Sequence, residues 1–256
     1  MGLFTTGIDP ALLAFPFVMV VIGTVFQTAT GAGLGLVASP ALLLFFDAPT
    51  AVQVATVLNL LLSIFLLPFE WRQRDRRMIA VMTLLAALGL PFGLWILLSF
   101  PDPVLRLLCG GLICLSVLQL RLVGKSQVAP GGSHARMALP VGAVSAGLMT
   151  GALAIPGPAA LWALLNSDLS AQAIRATLRF FFVAVYFLMF AAQMTVQGPA
   201  VSFADLTLAL LPALGAGIAI GLIVRRRISD AILRTMLKYL LLLMGVAMLA
   251  GGLNLV

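Results

Sequence analysis

Two short stretches carry residue types that suit chemistry, and that chemistry is holding an anion rather than making a bond. "TATGAGLG" (Thr28–Gly35) sets Gly31, Gly33 and Gly35 beside Thr28 and Thr30, with Ser39 four residues further on. "TGALAIPGPAALW" (Thr150–Trp162) repeats the theme with Thr150, Gly151, Gly157 and two prolines. Glycine lets backbones approach closely, while proline cannot continue a helix but suits the first turn of a new one. Each stretch is therefore expected to end one helix and start another, with Pro40 and Pro158 each opening a short half-helix. The N–H groups at such a start lack intrahelical partners and carry partial positive charge, so two facing starts favour a negative guest. The competing reading is structural: glycine-rich breaks also let membrane helices pack tightly.

Other groups are suited to complete the site. Asn59 and Thr177 are uncharged donors near the breaks, although a hydroxyl or amide often bonds to its own helix instead. Arg175 and Arg179 share one helix face, with Arg179 about 6 Å deeper at about 1.5 Å per residue. They either reach back to the headgroups or draw anions into an inner vestibule. No Asp or Glu falls in the centre of an apolar run; Asp168 and Asp205 sit at the ends of such runs, and the single histidine, His134, reads as part of a loop. A buried proton relay is therefore not expected. Cys109 and Cys114 are about 140° apart on a helix at about 100° per residue, so they form neither a redox pair nor a metal pair. No metal or cofactor is expected. Catalysis is not expected either, because no buried serine has a base beside it.

These residues need elements to position them, and composition says which solvent those elements face. Of 256 residues, 62% are hydrophobic and 9% charged, and the mean hydropathy is +1.17. Soluble domains carry about 25% charged residues, so this chain cannot cover a water-facing surface and the bilayer must be its solvent. The apolar runs show no alternation, which points away from a β-barrel and towards helices. The net charge of +7 is gathered in clusters between the runs, a pattern that excludes a nucleic-acid-binding face and suits cytoplasmic loops. The first ten residues hold Asp9 and no Lys or Arg, so the positive start of a cleavable signal is missing.

The clusters serve as a ruler. Arg72, Arg74, Arg76 and Arg77 form one; Arg121, Lys125 and Arg136 a second; Arg175 and Arg179 a third; Arg225, Arg226 and Arg227 a fourth, followed by Arg234 and Lys238. The linkers 46–49, 99–103 and 197–202 hold no Lys or Arg. The positive-inside rule places all four clusters on one side only if 11–46 and 137–165 each turn back on themselves. Both contain a Gly/Pro break where the turn belongs. The expected organisation is a first repeat over 1–122 (hairpin 11–46, spans 51–69, 78–100 and 104–122) and a cytoplasmic linker at 123–136. A second repeat follows over 137–256 (hairpin 137–165, spans 171–194, 203–224 and 232–256). Three spans per half is odd, so the second half is expected to enter the membrane inverted, as in secondary transporters with discontinuous helices. A weak echo supports this: "SPALLLFF" (Ser39–Phe46) parallels "GPAALWAL" (Gly157–Leu164).

The paired hairpins "GAGLGLVASPALLLFF" and "GLMTGALAIPGPAALW", each followed by an Ala-Thr helix ("VQVATVLN" and "AIRATLRF"), resemble the TauE/SafE sulfite-exporter family over nearly the whole chain. Leu34, Ala154 and Ile155 stand where that family often has more glycine. The resemblance implies an inner-membrane permease for small anionic sulfur compounds such as sulfite, thiosulfate and organosulfonates, moved by alternating access. Its partners would be the anion and the lipid bilayer, with homo-oligomer formation left open. A structural or accessory membrane protein, whose breaks serve only packing, is the alternative.

Overall fold

The computed structural model describes residues 10–68, 73–123, 133–228 and 230–253, and among them ten helices and no strand. In chain order these are α1 (Pro10–Thr30), α2 (Leu34–Phe45), α3 (Ala48–Leu66), α4 (Arg76–Ser99) and α5 (Asp102–Val123). They continue with α6 (Ser133–Leu153), α7 (Gly157–Leu165), α8 (Ala171–Val196), α9 (Phe203–Arg227) and α10 (Asp230–Gly252). Helices cover the expected apolar runs, with their ends shifted by a few residues. Helix α6 starts at Ser133, so His134 belongs to its first turn and not to a loop. The side chains of 119–136, including Arg121, Lys125 and Arg136, lie outside the described residues, as does Arg72.

Local chemistry sets several helix starts. The Asp47 carboxylate accepts from the Thr50 amide (3.0 Å), with proline in the first turn of α3. Asp75 caps α4 through the Met78 amide (2.9 Å), and Ser170 caps α8 through Ala173 (3.2 Å). Such side-chain oxygens satisfy N–H groups that the helix itself cannot.

Six described helices are long and apolar enough to cross a bilayer, and the surface carries large apolar side chains such as Leu84, Phe92, Trp95 and Leu243. The chain is a multi-pass membrane protein. By contrast α2 has 12 residues and α7 has nine. At about 1.5 Å per residue, nine cover less than half of a hydrocarbon core of about 30 Å, so α7 is not a full span.

The closest helix pairings are kept when the first five helices are exchanged for the last five, although α2 packs on α5 and α10 where α7 does not pack comparably. The first helix of each group packs on the fourth of the other, as α4 with α6 and α1 with α9, while α3 packs on α8 and α5 on α10. Glycine makes the closest crossings possible. A Cβ on Gly147 or Gly151 would meet the carbonyls of Ala86 or Leu90, and Cβ atoms on Gly89 and Gly93 would meet Val144 and Leu148. Residue numbers rise together across this seam, so α4 and α6 run parallel. On the other side Gly217 faces Thr24 and Gly221 faces Thr28, so α1 and α9 also run parallel. Thr24 and Thr28 lie six and two residues before the end of α1, and Gly147 and Gly151 hold the same places in α6. Helices α3 and α8 run antiparallel, because the Gln53 amide near the start of α3 donates to the Gly198 carbonyl just past the end of α8 (2.8 Å).

Candidate functional site

The two breaks fall at Gly31–Gly33 and Ala154–Pro156, and the fold brings them together. A Cβ on Gly35 would lie 2.9 Å from the Ala154 carbonyl oxygen, 3.1 Å from the Tyr186 hydroxyl and 3.6 Å from Asn59 Oδ1. Tyr186 donates its hydroxyl to that same Ala154 carbonyl (3.2 Å). Tyr186 and Phe182 stand near the middle of α8, so the junction lies about halfway along the longest helix. The space between the breaks is a crevice of ≈ 10 Å³, bordered by Gln27, Gly33, Gly35, Ile155, Gly157 and Tyr186 among others. That is about room for one water. A larger groove of ≈ 300 Å³ begins at the next two residues, Pro158 and Ala159, and runs between α5, α6 and α7.

Each break has its own physical cause. At the first, Gly33 adopts φ +157°, and a Cβ there would lie 2.8 Å from Phe26 Cβ, so both conformation and space require glycine. Thr30 returns its hydroxyl to the Phe26 carbonyl (2.8 Å) and lies 3.0 Å from that of Ala32, closing the end of α1. The Gln27 side chain reaches past the break and accepts from the Leu34 amide (2.9 Å), taking one of the first N–H groups of α2. At the second break Ala154 is left-handed (φ +57°), alone in this among the described residues other than glycine. Pro158 follows in the first turn of α7, as expected.

Pro40 does not open the first half-helix. It is the seventh residue of α2, which starts at Leu34 after the N-cap Gly33. The turn geometry of glycine ends α1, and a proline six residues into α2 is absorbed within a short helix whose first ten residues are all buried.

The sequence-derived candidates separate into two groups. Gly33, Gly35 and Gly157 border the crevice, Asn59 stands beside Gly35, and Gly31 belongs to the first break with open space around it. Ser39 is fully buried one turn beyond Gly35, and neither its hydroxyl nor Asn59 Oδ1 has a hydrogen-bond partner among the described residues. The Asn59 amide nitrogen donates to the Ala55 carbonyl (2.8 Å). The others meet neighbouring helices or their own backbone, although the Thr28 hydroxyl, like that of Ser39, has no hydrogen-bond partner among the described residues. Thr28 packs against Gly221 of α9, and Gly151 against α4. Thr150 donates to Ala146 in its own helix (2.6 Å), and Thr177 accepts from the Asp75 amide (3.1 Å), tying α8 to the start of α4. Arg179 is buried, at 3% exposure, while Arg175 one turn earlier is half-buried. Arg74 lies over the Phe180 ring (4.9 Å), so two of the basic clusters meet in space.

Gln27, Phe182 and Tyr186 were not legible as site residues. Gln27 acts across a turn whose geometry had to be known first. The two aromatics look in sequence like ordinary apolar-run residues.

An all-helical, multi-pass chain with two interrupted hairpins meeting amid its helices is built as membrane permeases are. The family model of the sulfite exporter TauE/SafE matches residues 15–248, and the chain belongs to that family of membrane transporters. Comparison with curated proteins gives no match, and neither does comparison with solved structures.

Proposed function

We propose that the protein moves small sulfur oxyanions or organosulfonates, such as sulfite, thiosulfate or sulfoacetate, across a bacterial inner membrane. The anion binds at the junction of the two breaks, and access alternates between the two sides. One observation carries this reading: the Ala154 carbonyl, Gly35, Asn59 and Tyr186 meet at a place where both hairpins interrupt their helices. Interrupted backbone at membrane depth is tolerated where protein or a polar cavity satisfies it. The starts of α2 and α7 turn their positive ends towards this place, and Arg179 and Arg175 add positive charge on the approach from the basic side.

The crevice of ≈ 10 Å³ is too small for a sulfur oxyanion. Admitting one requires the hairpins to part, which is what alternating access demands. Two inverted halves, 1–122 and 137–256, joined by a cytoplasmic linker, fit the parallel pairings α1–α9 and α4–α6 and the antiparallel pairing α3–α8. An anion leaving a negative-inside cell gains about 2.3 kcal/mol per charge per 100 mV, so export needs no coupled ion.

The test is transport by purified protein in liposomes loaded with sulfite, thiosulfate, sulfoacetate or taurine, together with thermal unfolding in the presence of each. Release of at least one anion at a rate above empty liposomes is expected. If no anion moves and none shifts the unfolding temperature, the reading is wrong.

A further inference from the structure

We propose that α8 carries the anion's route along its buried face, and that this route ends at a second binding station formed by Gln193 and Gln197. The inference rests on reading the hairpin junction as an anion site. Arg179, Tyr186 and Gln193 are spaced seven apart, which is two turns, so they fall on one face at steps of about 10 Å. All three are buried, at 3%, 2% and 0% exposure. The first stands at the basic end, the second touches the hairpin junction, and the third lies near the opposite end of the helix.

The distal end is where the polar groups go unused. Both side-chain polar atoms of Gln193 are buried without a hydrogen-bond partner among the described residues, and so are both of Gln197, one turn further on. A single unpaired amide in the interior of a membrane protein is costly, and two adjacent ones require an explanation. Their neighbourhood is already organised. The Gln193 carbonyl accepts from the amides of Gln197 (3.0 Å) and Gly198 (3.1 Å). Gln53 of α3 grips the same turn, donating to Gly198 (2.8 Å) and accepting from the Ala200 amide (2.8 Å). Helix α3, antiparallel to α8, continues the polar lining with Thr56, Asn59 and Ser63, all buried. The Ser63 hydroxyl, which can donate, has no partner among the described residues.

Amide N–H groups recognise the oxygens of an oxyanion without binding as strongly as a cation would. A station on a transport route needs that balance, because the guest must also leave. The predicted ligand class is thus the same small oxyanion that enters the junction, held by neutral donors at the end of α8 remote from Arg175 and Arg179.

The experiment uses full-length protein in liposomes with sulfite and thiosulfate as probes, and compares Gln193→Leu, Gln193→Glu and Gln197→Leu with the parent. Losing one donor to an anion raises the half-saturating concentration about tenfold. Gln193→Leu should show that rise yet unfold at a higher temperature, since an unpaired amide has been removed. Gln193→Glu should slow flux further by repulsion. Unchanged flux in both Leu variants overturns the station while leaving the junction site standing. So does a joint fall in flux and unfolding temperature for Gln193→Leu, which marks a structural glutamine. Faster, sodium-dependent flux in Gln193→Glu would make the station a cation site and also overturn it. A parent protein that moves neither probe removes the anion reading and this inference together.

Discussion

Gly35 and Tyr186 set how closely the two breaks meet. Alanine at Gly35 places a methyl group 2.9 Å from the Ala154 carbonyl oxygen and wedges the hairpins apart. Gly35→Ala is therefore expected to abolish anion flux in liposomes. Tyr186→Phe removes one hydrogen bond and should lower stability by about 1 kcal/mol, read from thermal unfolding in detergent, because the Ala154 carbonyl loses its donor. Arg179→Ala should reduce flux while leaving expression intact if its charge draws anions inward; unchanged flux would make it a purely structural residue. Sequence made Gly35, Asn59 and Arg179 visible through type and spacing. It could not show that Thr150 bonds to its own helix, that Thr177 and Gly151 meet α4, or that Thr28 packs at the Gly221 seam. A threonine before a break looks the same whether it faces a crevice or the Gly221 seam.

At the scale of elements, the helices owe their closeness to small residues at matched places. Gly147 lies so near the Ala86 carbonyl that Gly147→Leu must separate α4 from α6, and Gly221→Leu must do the same to α9 and α1. Both variants are expected to lose folded protein, measured as monodisperse material after solubilisation. Gly111 and Gly215 have nothing within reach of an added Cβ. Alanine at either helical position should be tolerated or even stabilising, by about 0.5–1 kcal/mol. The existence of two broken hairpins was legible, because glycine and proline at these spacings disfavour one continuous helix. Their starting residues were only partly so. Proline signalled the start of α7 through Pro158, but Pro40 misled, since the turn at Gly31–Gly33 had already begun α2.

At the scale of the molecule, the positive-inside reading of the basic clusters and the matched seams α1–α9 and α4–α6 lead to the expectation that the halves insert in opposite directions. With Cys109 and Cys114 replaced by alanine, single cysteines at Arg76 and Arg227 should react with an impermeant reagent from the same side. Cysteines at Asp47 and Val201 should react from the other. Labelling of Arg76 and Arg227 from opposite sides would rule out the inverted arrangement. Charge parity alone leads to this expectation, since each odd crossing moves the next basic cluster across the membrane.

The sequence by itself determined the solvent, the helical class, the number of apolar runs and the two places where the backbone must break. Those follow from hydropathy, charge and the conformational limits of glycine and proline, all of which are local. Only the tertiary structure decided that the breaks meet each other, that Gln27 and Tyr186 hold the junction, and that the polar faces of α3 and α8 run antiparallel beside one another. Those relations depend on which distant segments pack together. In a chain this apolar, packing is chosen by the fit of small residues against backbone, and a one-dimensional pattern does not carry that fit.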